Sequence, residues 1–178
     1  MWQLVVIAVL GATALFGGLD TVDTTVTPVK TGEAFSDGKF TVTVERARTI
    51  DELKAGYRTI WPLVPGRTNL AVVTTLRNDG HVPASLDNEI DLRLPDKKFV
   101  GVYRLADSRR ATRLGPGLTE QLVYAWSVPA DAVAEGDSVT VRIWKKKFSE
   151  LMVTYGTTWV DSLTDYATVS IPVTRAKA

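Results

Sequence analysis

Three observations predict an all-β fold behind a membrane anchor. From Lys39 to Val173, apolar and polar residues alternate with period two over most of the chain. Clusters of Asn, Asp, Gly and Pro separate the alternating runs, and Met1 to Leu19 is apolar almost without a break. Period-two alternation marks strands with one buried face. About seven to nine short antiparallel strands in this length predict a two-sheet sandwich of immunoglobulin type, with a small barrel as the structural alternative. The expected organisation is a transmembrane anchor or uncleaved signal segment over 1–19, a linker over 20–38, the immunoglobulin-like β-sandwich over 39–174 and a tail over 175–178.

The N-terminal segment comes first. Trp2 to Leu19 holds no charged residue, and Gln3 and Thr13 are its clearly polar side chains. As a helix it would rise about 27 Å, close to the ~30 Å core of a bilayer. Trp2 suits an interfacial anchor, and Asp20 and Asp23 mark the exit into water. A retained single-pass anchor is preferred over two alternatives. A cleaved signal peptide has an A-x-A-like site at Ala12-Thr13-Ala14 but lacks a basic n-region. A buried soluble helix would normally carry a polar stripe. The sandwich is placed outside the cell, because a very short N-terminus before an apolar helix is the usual export arrangement. Small residues Ala8, Gly11, Ala12, Ala14 and Gly18 recur at spacings that permit close helix–helix packing.

The strands follow in order. Asp20 to Gly38 is rich in Thr, Asp and Gly and reads as linker. Phe40, Val42 and Val44 open the sandwich. Asp51 to Gly66 breaks the alternation and reads as a long ordered loop, with a helical turn at Asp51 to Ala55. Leu70, Val72, Thr74 and Leu76 form the next run; Glu89 to Leu94 and Phe99 to Leu105 are further strands. Leu122, Tyr124, Trp126 and Val128 follow, then Val139, Val141 and Ile143, then Leu151 to Val160, and finally Ala167, Val169, Ile171 and Val173. Asn78-Asp79-Gly80, Pro95-Asp96, Gly115-Pro116-Gly117 and Glu135-Gly136-Asp137 supply the turns. Pro172 falls on an outward face, as an edge or strand end requires.

Composition excludes several functions. The net charge is +1 and charged residues are 23% of the chain, so no strong field draws nucleic acid to it. With no cysteine there is no lipobox, disulfide or Cys-ligated metal. His81, the one histidine, follows Asp79-Gly80 and reads as a turn residue; no G-x-S-x-G elbow accompanies it. Asp87, Glu89 and Asp91 share one face by alternation and, interleaved with Arg93 and Lys97, read as a solvated face, a calcium site being the alternative. Arg104 with Arg109, Arg110 and Arg113, and Lys145 to Lys147, read as charged loops or strand ends; the alternative is contact with acidic headgroups or anionic wall polymer.

Two segments carry a resemblance. Thr68 to Gly80, TNLAVVTTLRNDG, and Leu114 to Pro129, LGPGLTEQLVYAWSVP, resemble the strand signatures of bacterial extracytoplasmic immunoglobulin-like domains found largely in actinobacteria and firmicutes, relatives of secreted mycobacterial immunogenic antigens. The resemblance covers about Lys39 to Val173. It implies fold and location, and it carries no catalytic residues. Members of that family often have a lipobox cysteine, which this chain replaces with an apolar segment.

The aromatics are then the candidate site. Tyr57, Trp61, Tyr155, Trp159 and Tyr166 lie in or beside irregular segments, and Trp144 shares the parity of Arg142, which turns it outward. Trp and Tyr beside Arg or Lys are the makings of an interface; plugging the ends of the sandwich is the structural alternative. The expected protein is a non-enzymatic, membrane-tethered interaction module, an accessory subunit of a larger membrane or envelope complex, with no cofactor. The alternative is a ligand-binding module for lipid, glycan or a small molecule. A pocket lined by Trp61 and Trp159 favours the ligand alternative, and a flat exposed patch favours the interface.

Overall fold

The computed structural model describes residues 23–55, 58–62, 64–151 and 156–175. Ala8, Gly11, Ala12, Ala14, Gly18, Tyr57 and Tyr155 lie outside them, as does the expected transmembrane helix. Among the described residues no helix is long and apolar enough to cross a membrane.

The fold is a β-sandwich. One sheet runs β8 (Asp91–Leu92), β12 (Ser138–Leu151), β13 (Gly156–Arg175) and β1 (Thr25–Val29). The other runs β9 (Lys98–Arg104), β11 (Thr119–Pro129), β6 (Arg67–Asn78), β3 (Phe40–Ile50) and β2 (Ala34–Ser36). β13 belongs to both: Ala167 to Pro172 pair antiparallel with β12, Thr25 to Val29 run parallel along its other edge, and Val173 to Arg175 run parallel to Ala47 to Thr49 of β3. Two short ladders complete the set, β4 (Leu53–Ala55) with β5 (Arg58–Trp61) and β7 (Ala84–Ser85) with β10 (Arg113–Leu114).

One continuous core fills the space between the sheets. Val42, Leu70, Val72, Leu76, Leu122, Tyr124 and Trp126 face Val139, Val141, Ile143, Val169 and Ile171. These are the inward positions of the period-two runs, so the alternation read from the sequence and the burial agree. Full burial of each large aliphatic side chain stabilises by roughly 1.5–3 kcal/mol. Three aromatic rings pack in series: Tyr124 lies 6.1 Å from Trp126, and Phe99 lies 5.7 Å from Trp126.

Three segments depart from the sequence reading. Within 20–38, Thr25–Val29 and Ala34–Ser36 are strands rather than linker. The helical turn expected at Asp51 to Ala55 is the first arm of the β4–β5 hairpin; β-branched Thr59 and Ile60 on the partner arm favour extended backbone. Only Asp91–Leu92 of the strand expected over Glu89 to Leu94 forms, because Glu89 is drawn into the interior.

Two bulges decide where charges go. On β3, Val44 pairs with Thr74 but Arg46 pairs with Val73, leaving Glu45 as the extra residue. The inward face therefore passes from Val44 to Ala47, and Arg46 and Arg48 turn outward. On β12 and β13, Trp144 pairs with Tyr166 and Lys146 with Asp161. One residue on β12 thus opposes four on β13, and this irregularity shifts the parity so that Lys146 points inward.

Candidate functional site

The inward turn of Lys146 creates a buried charge cluster at the base of a cleft of about 730 Å³. Four elements deliver its parts. The β2–β3 turn supplies Asp37 and Lys39. The loop from β7 to β8 supplies Glu89. β12 and β13 supply Lys146 and Asp161. Lys39 Nζ donates to Glu89 Oε1 at 2.6 Å and to the Ser85 carbonyl at 2.8 Å. Lys146 Nζ stands 3.6 Å from Glu89 Oε2 and donates to Asp161 Oδ1. The Lys39, Glu89 and Lys146 side chains are each at most 8% exposed. Glu89 Oε2 accepts no hydrogen bond, and neither does Asp37 Oδ2.

The backbone around the cluster is firmly placed. Asp37 Oδ1 accepts the N–H groups of Lys39 at 2.7 Å and Phe40 at 2.6 Å. The Asp37 carbonyl accepts the Lys146 N–H at 2.6 Å, which ties the β2–β3 turn to β12 opposite the bulge of β13. The Tyr124 hydroxyl donates to the Leu86 carbonyl at 2.9 Å and pins the loop that carries Glu89. Asn78, fully buried, donates through Nδ2 to the carbonyls of Val82 at 2.9 Å and Leu114 at 2.8 Å, and its Oδ1 accepts the Gly80 N–H. The Asn78-Asp79-Gly80 motif is therefore a pinned loop start beside the cleft.

Burial sets the protonation of the cluster. Loss of water pushes the Glu89 carboxyl up to about 7, against the pull of Lys146 and Lys39 and with a further push from Asp37. Burial likewise raises Asp37, although its backbone hydrogen bonds from Phe40 and Lys39 pull the other way. For Lys146, burial works against the charge, but Glu89 and Asp161 outweigh it and hold the ammonium above its usual range. Burial, with the charge of Glu89 nearby, lifts Tyr124 well above a normal phenol.

The cleft wall is aromatic and apolar. Trp159 packs edge-on against Phe148 at 5.3 Å, and Phe148, Val82 and Val160 are exposed along the rim. Lys39, Lys146 and Arg113 balance Asp87, Glu89 and Asp161 around the lining.

The expected aromatics divide. Trp159 lines the cleft. Trp61 ends the β4–β5 hairpin, is not among the cleft residues, and its buried indole N–H has no hydrogen-bond partner. Trp144 and Tyr166 form an edge-on pair at 4.9 Å with the Arg142 guanidinium 3.9 Å over the Trp144 ring, on the outward side that their shared parity gives. Trp61 and Trp159 therefore do not line this cleft together.

The charged clusters also separate. Asp91 pairs with Lys97 at 2.6 Å and Arg142 at 2.8 Å, while Glu89 is interior, so Asp87, Glu89 and Asp91 do not share a solvated face. Among the described residues no group of three or more His, Asp or Glu converges to hold a metal. Lys145 reaches the Ser36 carbonyl and Lys146 the interior, which splits the run of three lysines. Sequence reasoning missed Lys39 altogether. Its signal was faint: a lysine directly after Gly38 and beside the first core residue, Phe40.

No protein-family model matches the chain, and no curated protein matches it. Solved structures do. An uncharacterised β-sandwich protein from Clostridium difficile matches with a TM-score of 0.56 at 9% identity, over 85% of this chain and 97% of its own. The ycdA protein of Bacillus subtilis, a candidate lipoprotein, matches with a TM-score of 0.46 at 13% identity, over 81% of this chain and 39% of its own. The yjhA protein of Bacillus subtilis has a TM-score of 0.42 at 19% identity, covering 65% and 81%. The likeness to the clostridial protein is one of fold: this chain is a β-sandwich.

Proposed function

We propose that this chain is a non-enzymatic, membrane-tethered, extracytoplasmic binding module of the immunoglobulin-like kind, and that its ligand occupies the cleft above Lys39, Glu89 and Lys146. The observation that carries this reading is the position of Trp159 in the wall of a cleft with a charged base, rather than in a flat patch. A concave site with a few convergent polar groups is the usual form of a ligand pocket. Its balanced charges disfavour a strong anion or cation, and its polar base disfavours a lipid tail. An aromatic wall over hydrogen-bonding groups of both kinds suits a neutral polyhydroxylated ligand, a glycan. The apolar, charge-free run from Trp2 to Leu19 supports the tether.

The test is titration of the full-length protein, held in phosphatidylcholine nanodiscs, with chito-oligosaccharides and malto-oligosaccharides, followed by tryptophan fluorescence. Saturable quenching that disappears in Trp159→Ala and survives in Trp61→Ala is expected. Absence of saturation with every saccharide, or quenching indifferent to Trp159→Ala in a folded variant, overturns the glycan reading.

A second reading has its own observation. Leu163, two residues beyond Asp161, is 87% exposed in the irregular stretch of β13. An isolated leucine at the tip of a bulge suits docking onto an envelope or membrane protein, the accessory-subunit role. Co-purification of a stoichiometric membrane partner that is lost in Leu163→Ser supports this role; recovery of the protein alone removes it.

A further inference from the structure

The outer face of the β9–β11–β6–β3 sheet breaks the rule that outward positions are polar. Ala71 and Val73 of β6 and Val123 of β11 point away from the main core, yet each is at most 9% exposed, and they form a second apolar cluster with Ile50 packed against it. The paired registers place a row of side chains across four strands: Arg46 opposite Val73, Val73 opposite Val123, and Val123 opposite Tyr103. Arg48 stands opposite Ala71 in the adjacent row. The result is a groove of about 210 Å³ whose lining includes Arg46, Arg48 and Arg104 and no carboxylate. It shares no residue with the Trp159 cleft.

The groove depends on the bulge in β3. Without the Glu45 bulge, Arg46 and Arg48 would follow the inward parity of Phe40, Val42 and Val44; the bulge delivers both guanidiniums to the outer face. Their neighbours leave them charge in hand. Arg104 pairs with Glu120 at 2.9 Å, Arg46 reaches Glu45 only at 3.5 Å, and among the described residues Arg48 has no ion pair. Glu45 is itself engaged by the Thr75 hydroxyl at 2.5 Å and by Gln121 at 3.1 Å. The Arg46 Nε is buried and has no hydrogen-bond partner. An apolar floor between guanidiniums matches a molecule with an apolar chain and an anionic head.

We propose that this groove binds a free, single-chain anionic amphiphile, its carboxylate or phosphate held by Arg46 and Arg48 and its chain laid over Ile50, Val73 and Val123. A cavity of about 150 Å³ holds a benzene ring, so this volume takes a chain of roughly six to eight carbons.

The experiment uses the full-length protein, carbon-13 labelled on valine and isoleucine methyls, in phosphatidylcholine nanodiscs. Octyl phosphate is added below its aggregation concentration. Saturable shifts of the Val73, Val123 and Ile50 methyls are expected, with affinity at least tenfold weaker in the Arg46→Gln, Arg48→Gln double variant. That variant changes two surface residues, and an unchanged melting transition verifies its fold. Equal binding of neutral octyl glucoside overturns the anionic requirement. No shift with octyl phosphate overturns the proposal, as does a response that arises only when phosphatidylglycerol is added to the nanodisc, because the ligand is then the bilayer surface and not a free amphiphile.

Discussion

The backbone of Gly38 lies directly against that of Lys146. A Cβ on Gly38 would stand 2.5 Å from the Lys146 carbonyl oxygen, and Gly38 adopts φ +102°, a conformation that L side chains rarely take. This contact lets the β2–β3 turn pack onto the bulge that sends Lys146 inward. Gly38→Ala is therefore expected to destabilise through both strain and collision. Gly32 has φ +84° and nothing within 4 Å of its would-be Cβ, so Gly32→Ala shows strain alone, about 1–2 kcal/mol. Urea unfolding should place Gly38→Ala clearly below Gly32→Ala. Equal losses would mean that the contact with Lys146 is relieved at no cost.

Glu89 gives the protein a stability that falls as pH rises. Its carboxyl titrates near 4.5 when free and near 7 in the fold. Between those values the folded chain keeps a proton that the unfolded chain has released, so the contribution of Glu89 is fullest below about 4.5 and declines until pH passes 7. The full effect is up to about 3 kcal/mol. Asp37 is raised as well and acts with the same sign, while Lys146, raised from 10.5, loses its contribution only in the alkaline range. Unfolding midpoints from pH 5 to 8 should slope downward in the native protein and be markedly flatter in Glu89→Gln. A slope unchanged by that substitution would assign it to other groups.

Asn78 holds the loop start on the cleft side through three hydrogen bonds, all of its side-chain capacity but one. Asn78→Ala leaves the carbonyls of Val82 and Leu114 without this donor and is expected to cost about 2–4 kcal/mol. Asn78→Asp keeps an acceptor for the Gly80 N–H but sets a carboxylate against two carbonyls, so it should be no better. Hydrogen exchange at Gly80 should accelerate in both variants; protection retained at Gly80 would show that the loop is held by other contacts.

Tyr124→Phe removes one hydroxyl from the core and leaves the Leu86 carbonyl without that donor. The ring stays in its stack with Trp126, so the expected loss is about 1–3 kcal/mol with packing intact. The near-ultraviolet circular dichroism should keep its shape while the melting point drops. A changed spectrum would mean that the hydroxyl also fixes the ring orientation.

The strands with clean alternation were legible because one face of each meets the core: β3, β6, β11, β12 and β13 contain the runs read from Phe40, Leu70, Leu122, Val139 and Ala167. Trp144 was legible for the same reason, since it shares the parity of Arg142 and lies under its guanidinium. What the sequence hid was made by irregularity. Parity puts Arg46 and Arg48 inward until Glu45 is left out of the ladder, and it does not mark Lys146 as interior until one residue opposes four. Glu89 reads as part of a solvated face and Lys39 carries no reading, because their burial depends on each other, at a separation of fifty residues. β1 and β2 were hidden by Pro28 and by their shortness; each leans on a long neighbour for its hydrogen bonds.

β13 has a mechanical consequence. Thr25 to Val29 runs parallel to Asp165 to Val169, so tension applied ahead of Thr25 and behind Arg175 pulls these two strands past each other along their length. The hydrogen bonds between them share such a load and must yield together, whereas antiparallel strands pulled from a common end open one bond at a time. Val173 to Arg175 meet β3 in the same parallel sense and anchor the far end of β13 in the second sheet. A domain stretched between these two points would resist like a lap joint and not like a zipper.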